Sequence, residues 1–161
     1  MKWMNKKALV TGSFDPPTIG HIALIEKAAA VFDEVVVCVF RNSEKKYLFS
    51  ETERAKMLSV AIEEYGLLNV TVDVSGGYVA DYTRENGISF VVRGVRDAKD
   101  MAYETEMARY NHNLNPNMET LLWVAHEDKK GISSTEARKS IQQGDWDEDI
   151  LPKSVLELIK S

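Results

Sequence analysis

The chain has 161 residues, 44% of them hydrophobic and 28% charged, and a formal net charge of −5 at pH 7. That length suits one domain with a real core, and the balanced composition excludes a disordered or low-complexity protein. No apolar run approaches the roughly 18 residues of a membrane helix, the acidic balance argues against a nucleic-acid partner, and a single cysteine, Cys38, excludes a disulfide framework.

The opening MKWMNKK carries charge with no apolar stretch or small-residue cleavage site behind it, so a cytoplasmic protein is expected. The apolar run Ala8-Leu9-Val10 predicts a buried strand at 7–12, with Gly12 expected to permit a tight turn after it. Asp15-Pro16-Pro17 is turn chemistry, because proline fixes φ and biases the preceding residue toward extended backbone. Thr18 is placed to cap a helix at 20–32, which puts Gly20 and His21 in its first turn. Unpaired N–H groups and the positive end of the helix dipole attract anions there. His21 adds a donor that can be cationic near neutral pH; the plainer alternative is a surface histidine on a capped helix.

A second strand at 34–40 encloses Cys38, read as a buried structural thiol. Ser50 and Glu53, at capping-box spacing, open a helix at 51–65 that Gly66 ends. The strand at 69–74 alternates and belongs at a sheet edge, whereas the other strands read as buried on both faces. A helix at 78–86, stopped by Gly87, precedes a strand at 88–92, a helix at 100–114 and a strand at 119–125. Ser133 with Glu136 forms another capping-box pattern, opening a helix that runs to Gln143 with Gly144 as its stop, and a final helix begins near Pro152.

Alternating strands and helices make this an α/β chain, a single domain over 1–161. Its expected form is a Rossmann-like, doubly wound, five-stranded parallel sheet with a C-terminal helical extension. In the order 3-2-1-4-5 the switch point lies between strands 1 and 4, and ligands bind beyond their carboxyl ends. The loop after strand 1 carries 13–21, and the loop after strand 4 carries Arg93-Gly94-Val95-Arg96. The loops after strands 2 and 5 bring 41–46 and 126–135 to the same rim. Guanidinium groups suit bidentate phosphate recognition, and Gly94 lets the backbone approach a ligand. Lys45 and Lys46 are either solvated charges or ligand contacts. Ser133, Ser134 and Thr135, followed by Arg138, make a helix cap that also suits a triphosphate.

Met57, Met101, Met107 and Trp123 read as core, and the acidic run 145–149 as a solvated loop. His112 and His126 have no partner at metal-ligand spacing and receive no role, so no metal site is expected. No Gly-x-x-x-x-Gly-Lys occurs, which argues against a P-loop kinase, and the Ser-Ser-Thr segment lacks a hydrolase's nucleophile context.

Residues 13–21, SFDPPTIGH, resemble the T/H-x-G-H signature of the nucleotidylyltransferases. KKYLF at 45–49, RGVRDAKDMAYE at 93–104 and GISSTEAR at 131–138 are similar to segments of one family among them, the bacterial phosphopantetheine adenylyltransferases, and the likeness spans nearly the whole chain. Ser13 stands where many relatives have Thr, and Met101-Ala102 where a Phe-Glu pair is common. GISSTEAR also resembles the phosphate loop of nicotinate-mononucleotide adenylyltransferases. Against that family, Thr18 replaces the first histidine they usually carry, and they lack RGVR followed by YE.

The resemblance implies reversible adenylyl transfer from ATP to 4′-phosphopantetheine, giving dephospho-CoA and pyrophosphate in coenzyme A biosynthesis. It also implies magnesium accompanying ATP, a homohexamer, and CoA as a feedback inhibitor. It assigns His21 to the charge developing on the α-phosphate, and Ser13, Lys45, Val79 and Arg93 to the phosphopantetheine. To ATP it assigns Ser13, Phe14, His21, Gly94, Val95, Arg96, Glu104, Lys129, Lys130, Gly131, Ile132, Ser133, Ser134 and Thr135. Asn111, on the helix face of Glu104, borders the site. The alternative from another class is a non-catalytic nucleotide-binding module on the same fold; the presence of His21, Lys45, Arg93 and Arg96 together weighs against it.

Overall fold

A computed structural model describes residues 6–126 and 132–161. The strands are β1 (Lys7–Gly12), β2 (Glu34–Phe40), β3 (Val70–Ser75), β4 (Phe90–Val95) and β5 (Glu119–Val124). The helices are α1 (Ile19–Val31), α2 (Glu51–Glu64), α3 (Val79–Glu85), α4 (Ala98–Leu114), α5 (Ser134–Gln142) and α6 (Lys153–Lys160). All strand pairs are parallel, in the expected order β3-β2-β1-β4-β5.

The period-2 alternation of a strand divides the core between the two sheet faces. Ala8, Val10, Val35, Val37 and Val39 meet Ile22 and Ile25 of α1, Met57, Leu58 and Ala61 of α2, and Val155 of α6. Leu9, Val36 and Cys38 face the other way, onto Ala80 and Tyr82 of α3 and onto Met118. Each such large aliphatic side chain removed from water contributes about 1.5–3 kcal/mol. Burial pushes the Cys38 thiol up to about 12, with Asp73 adding to the effect, so it is an inert core group. Among the described residues no helix is long and apolar enough to cross a membrane.

Three expectations need correction. Arg93, Gly94 and Val95 lie within β4 instead of in the loop after it: β1 pairs with β4 only as far as Val10↔Val92, but β5 pairs on to Val95↔Val124 and keeps the strand extended. β5 is not buried on both faces, because it is the outer strand, and Leu121 and Val124 are exposed. Met101 is likewise exposed on the outer side of α4 and Met107 only half-buried, whereas Met57 is buried and Trp123 packs against the core.

Candidate active site

Gly12 ends β1 where the chain turns toward α1, and its role differs from the expected turn glycine. A Cβ there would come within 3.1 Å of the Phe14 ring, so the glycine makes room for an aromatic. Phe14 itself takes φ 50°, a left-handed conformation costly for a residue with a Cβ. The ring thereby lies edge-on to His21, centroids 4.9 Å apart. Thr18 then caps α1 in a reciprocal box. Its hydroxyl accepts the His21 N–H at 3.4 Å, and its own N–H donates to His21 Nδ1 at 3.0 Å. Nδ1 is an acceptor, so the neutral ring carries its proton on Nε2. Burial, reinforced by Arg93 and Arg96, lowers the His21 pKa to about 4. Of the two charge states open to a histidine near neutral pH, this site favours the neutral one, a donor of fixed tautomer.

The turn at 13–18 is held from three sides. The Asp15 carboxylate, buried, accepts the N–H groups of Leu48 and Phe49 at 2.8 and 2.9 Å. Arg54, only 1% exposed, donates to the Ser13 carbonyl at 2.7 Å and to Phe49 O at 3.0 Å. From α5, Ser134 Oγ donates to Pro16 O and Arg138 to Asp15 O, both at 2.9 Å. Ser133 caps α5 by accepting the Glu136 N–H at 3.2 Å, while the Glu136 carboxylate pairs with Lys139 instead of completing a box. Two capped helix N-termini thus open on one space, an arrangement that favours anions.

That space is a cavity of about 490 Å³. Ser13, Phe14, His21, Lys45, Arg93, Gly94, Arg96, Glu104, Ile132, Ser133, Ser134 and Thr135 all line it. Thr11, Asp15, Lys27, Asp100 and His126 line it too, though they were not assigned to it. Val95 lines neither this cavity nor its neighbour; its side chain is buried in the sheet. Lys129, Lys130 and Gly131 lie outside the described residues. Val79 and Asn111 line a second cavity of about 160 Å³, with Tyr103 and Met107. Thr11, Arg93 and Glu104 border both.

Charge in the site is unequally committed. The Arg93 fork makes four hydrogen bonds, two to the buried Glu104 carboxylate (3.0 and 2.8 Å) and two to Thr11 (2.6 and 2.8 Å). With five N–H donors in all, at most one is left for a ligand. Glu104 is thus no surface carboxylate but the anchor of that pair. Arg96 donates from Nε to Asp100 at 3.1 Å and from Nη1 to the Ile132 carbonyl at 3.4 Å, and keeps its other three N–H groups open. Lys45 Nζ meets Ser13 Oγ at 3.3 Å and forms no ion pair among the described residues. Among those residues no three His, Cys, Asp or Glu side chains are grouped to hold a metal ion.

The buried Arg54 is the group sequence reasoning missed most clearly. With Met57, Leu58 and Ala61 it occupies the core stripe of α2, and an arginine at such a position signals a hidden acceptor.

Residues 9–140 match the family model described as Cytidylyltransferase-like. The phosphopantetheine adenylyltransferase of Natranaerobius thermophilus is 36% identical over 154 residues, covering 96% of this chain and 94% of that one. That of Desulforudis audaxviator is 39% identical over 155 residues, with the same coverage, 96% and 94%. Among solved structures, Plasmodium falciparum nicotinic acid mononucleotide adenylyltransferase complexed with NaAD has a TM-score of 0.75 and covers 98% of this chain and 95% of that one. At 14% identity this is a likeness of fold. On these matches the chain belongs to the cytidylyltransferase-like family and, within it, to the phosphopantetheine adenylyltransferases.

Proposed function

We infer that the chain carries out the reaction for which its relatives are named, transferring the adenylyl group of ATP to 4′-phosphopantetheine in coenzyme A biosynthesis. The observation that carries this reading is the pair of adjoining cavities with a common border at Thr11, Arg93 and Glu104. The larger suits a nucleoside triphosphate at two helix N-termini. The smaller, at Val79 and Asn111, suits the pantetheine arm.

An oxygen of the acceptor phosphate attacks the α-phosphorus as the bond to the β-phosphate oxygen breaks, giving dephospho-CoA and pyrophosphate. A phosphate monoester is already a nucleophile, so no covalent intermediate or strong base is needed. Orientation and charge stabilisation supply the rate. In this reading His21 Nε2–H donates to the α-phosphate, and Lys45 with Ser13 receives the acceptor phosphate. Arg96, Arg138 and the 133–135 segment take the β- and γ-phosphates, Gly94 and Phe14 flank the nucleotide, and Arg93 with Glu104 shapes the wall between the substrates. Lys129, Lys130 and Gly131 belong to the ATP side in the same proposal. Magnesium arrives with the substrate as MgATP and neutralises phosphate charge.

We further propose a cytoplasmic homohexamer inhibited by CoA. Support for assembly comes from Met101, Tyr103, Tyr110 and Leu114, exposed on α4, and Leu121 and Val124, exposed on β5; sedimentation of the purified protein tests it. The reaction itself is tested with MgATP and one acceptor at a time, following pyrophosphate. Release with 4′-phosphopantetheine and not with nicotinate mononucleotide is expected. Release with the latter alone reassigns the acceptor, and ATP binding without turnover makes the chain a binding module.

A further inference from the structure

We propose that Tyr47 is a positioning residue, which closes the loop at 42–47 over Arg54 and so holds the Lys45 ammonium at Ser13. The proposal rests on the reading of Lys45 as the contact of the acceptor phosphate. Lys45 stands on an exposed turn outside any helix or strand, and a free lysine side chain spreads over many rotamers. Something must fix the turn for that charge to meet a phosphate at one place.

Asn42 is the node of the turn. Its carbonyl accepts the Lys45 N–H and its side-chain Oδ1 the Glu44 N–H, both at 3.0 Å. Its own N–H donates to the Tyr47 hydroxyl at 2.9 Å, which closes the loop from its far end. The Tyr47 ring lies over the Arg54 guanidinium, 3.9 Å from centroid to carbon, in the geometry of a cation–π contact. That same guanidinium holds the Ser13 carbonyl at 2.7 Å. One side chain therefore touches both halves of the Lys45–Ser13 contact: the turn that bears the lysine, and the arginine that fixes the serine. Tyr47 cannot swing away freely, since the next two N–H groups, of Leu48 and Phe49, are bound to the Asp15 carboxylate.

Removing only the hydroxyl separates positioning from packing. Tyr47→Phe keeps the ring on Arg54 and releases Asn42. It is expected to raise the KM for 4′-phosphopantetheine roughly three- to ten-fold, the range that loss of one net hydrogen bond supports, with the KM for ATP unchanged. The decisive measurement is the same substitution in a Lys45→Ala background, where it should leave the KM for phosphopantetheine where Lys45→Ala alone has put it. A Tyr47→Phe effect that persists in full there, or one that raises both Michaelis constants alike, overturns the proposal while leaving Lys45 in place. If Lys45→Ala itself does not move that KM, the reading of Lys45 fails and the proposal with it. A second variant, Tyr47→Ala, is expected to lower thermal stability as well as raise the KM. Tyr47→Phe folding as the wild type keeps the test independent of that outcome.

Discussion

Thr18 donates its backbone N–H to His21 Nδ1 at 3.0 Å while its hydroxyl accepts the His21 N–H at 3.4 Å. A histidine here fills the place that Glu or Gln takes in most capping boxes. The bond that finishes the helix also sets the tautomer, so Nε2–H is left to face the cavity. Local helix chemistry and the proposed catalytic donor are one feature.

His21→Gln is therefore the informative substitution, because glutamine at the third helical position can keep the cap. Its turnover is expected to fall about 10²–10³-fold, the loss typical of one preorganised charge-stabilising donor, with stability close to wild type. His21→Ala should lose a similar factor in rate and in addition roughly 1 kcal/mol of stability from the broken cap. Pyrophosphate release and urea unfolding measure the two effects, and a His21→Gln enzyme of wild-type turnover removes the imidazole from the chemistry.

The His21 pKa of about 4 makes a prediction about pH. In the folded chain the ring stays neutral down to that value, whereas in the unfolded chain it titrates at its ordinary 6.5. Between the two the unfolded state binds more protons, so stability rises with pH through the window and levels off above it. The His21 contribution across pH 4 to 6.5 is on the order of 3 kcal/mol. Unfolding free energies of the wild type and His21→Gln, compared from pH 4 to 8, should differ in slope below 6.5 and run parallel above it. Equal slopes throughout contradict a ring that stays neutral down to about pH 4.

Much of this arrangement was legible in the sequence because it rests on local rules. Thr18 and Ser50 announce their helices by cap chemistry, and the left-handed residues Gly66 and Gly87 end α2 and α3. The convergence of His21 with Arg96, far apart in sequence, followed from strand order alone. What was hidden depends on partners distant in the chain. The length of β4 is set by its pairing with β5, the protonation of His21 by burial beside two arginines, and the commitment of Arg93 by Glu104 and Thr11. None of these leaves a periodic trace.

Arg54 provides a test of the frame beneath the site. Arg54→Met fills similar volume but leaves the carbonyls of Ser13 and Phe49 without the donors that now reach them at 2.7 and 3.0 Å. Acceptors stripped in this way cost about 1–3 kcal/mol each when buried, and these two are half-buried, so a total loss of roughly 2–4 kcal/mol, the lower part of that range, is expected in urea unfolding. The KM for the acceptor should rise as well, because Ser13 loses its anchor. A variant within about 0.5 kcal/mol of wild type, the range of an ordinary surface change, shows that Arg54 does not hold the turn.

Arg96 bears most directly on which guanidinium receives the triphosphate. Arg93 faces the same cavity, but Glu104 and Thr11 occupy four of the five N–H groups of its fork. Arg96 is the first residue beyond β4. Asp100 holds its backbone N–H at 3.0 Å and its Nε at 3.1 Å, and Nη1 donates to the Ile132 carbonyl at 3.4 Å, one residue before the α5 cap, which leaves three N–H groups of the fork open. Arg96→Lys keeps the charge but replaces a planar, pre-oriented fork with a flexible ammonium. The KM for ATP is expected to rise and turnover to fall, together costing about tenfold or more in kcat/KM, the range of one charge-assisted hydrogen bond. The reverse reaction should weaken in parallel through poorer pyrophosphate binding, and the binding of 4′-phosphopantetheine alone should change little. Forward and reverse rates with titration calorimetry for each ligand separate these effects. If Arg96→Lys is fully active, or if its defect falls on phosphopantetheine instead of ATP and pyrophosphate, the leaving group lies elsewhere in the cavity.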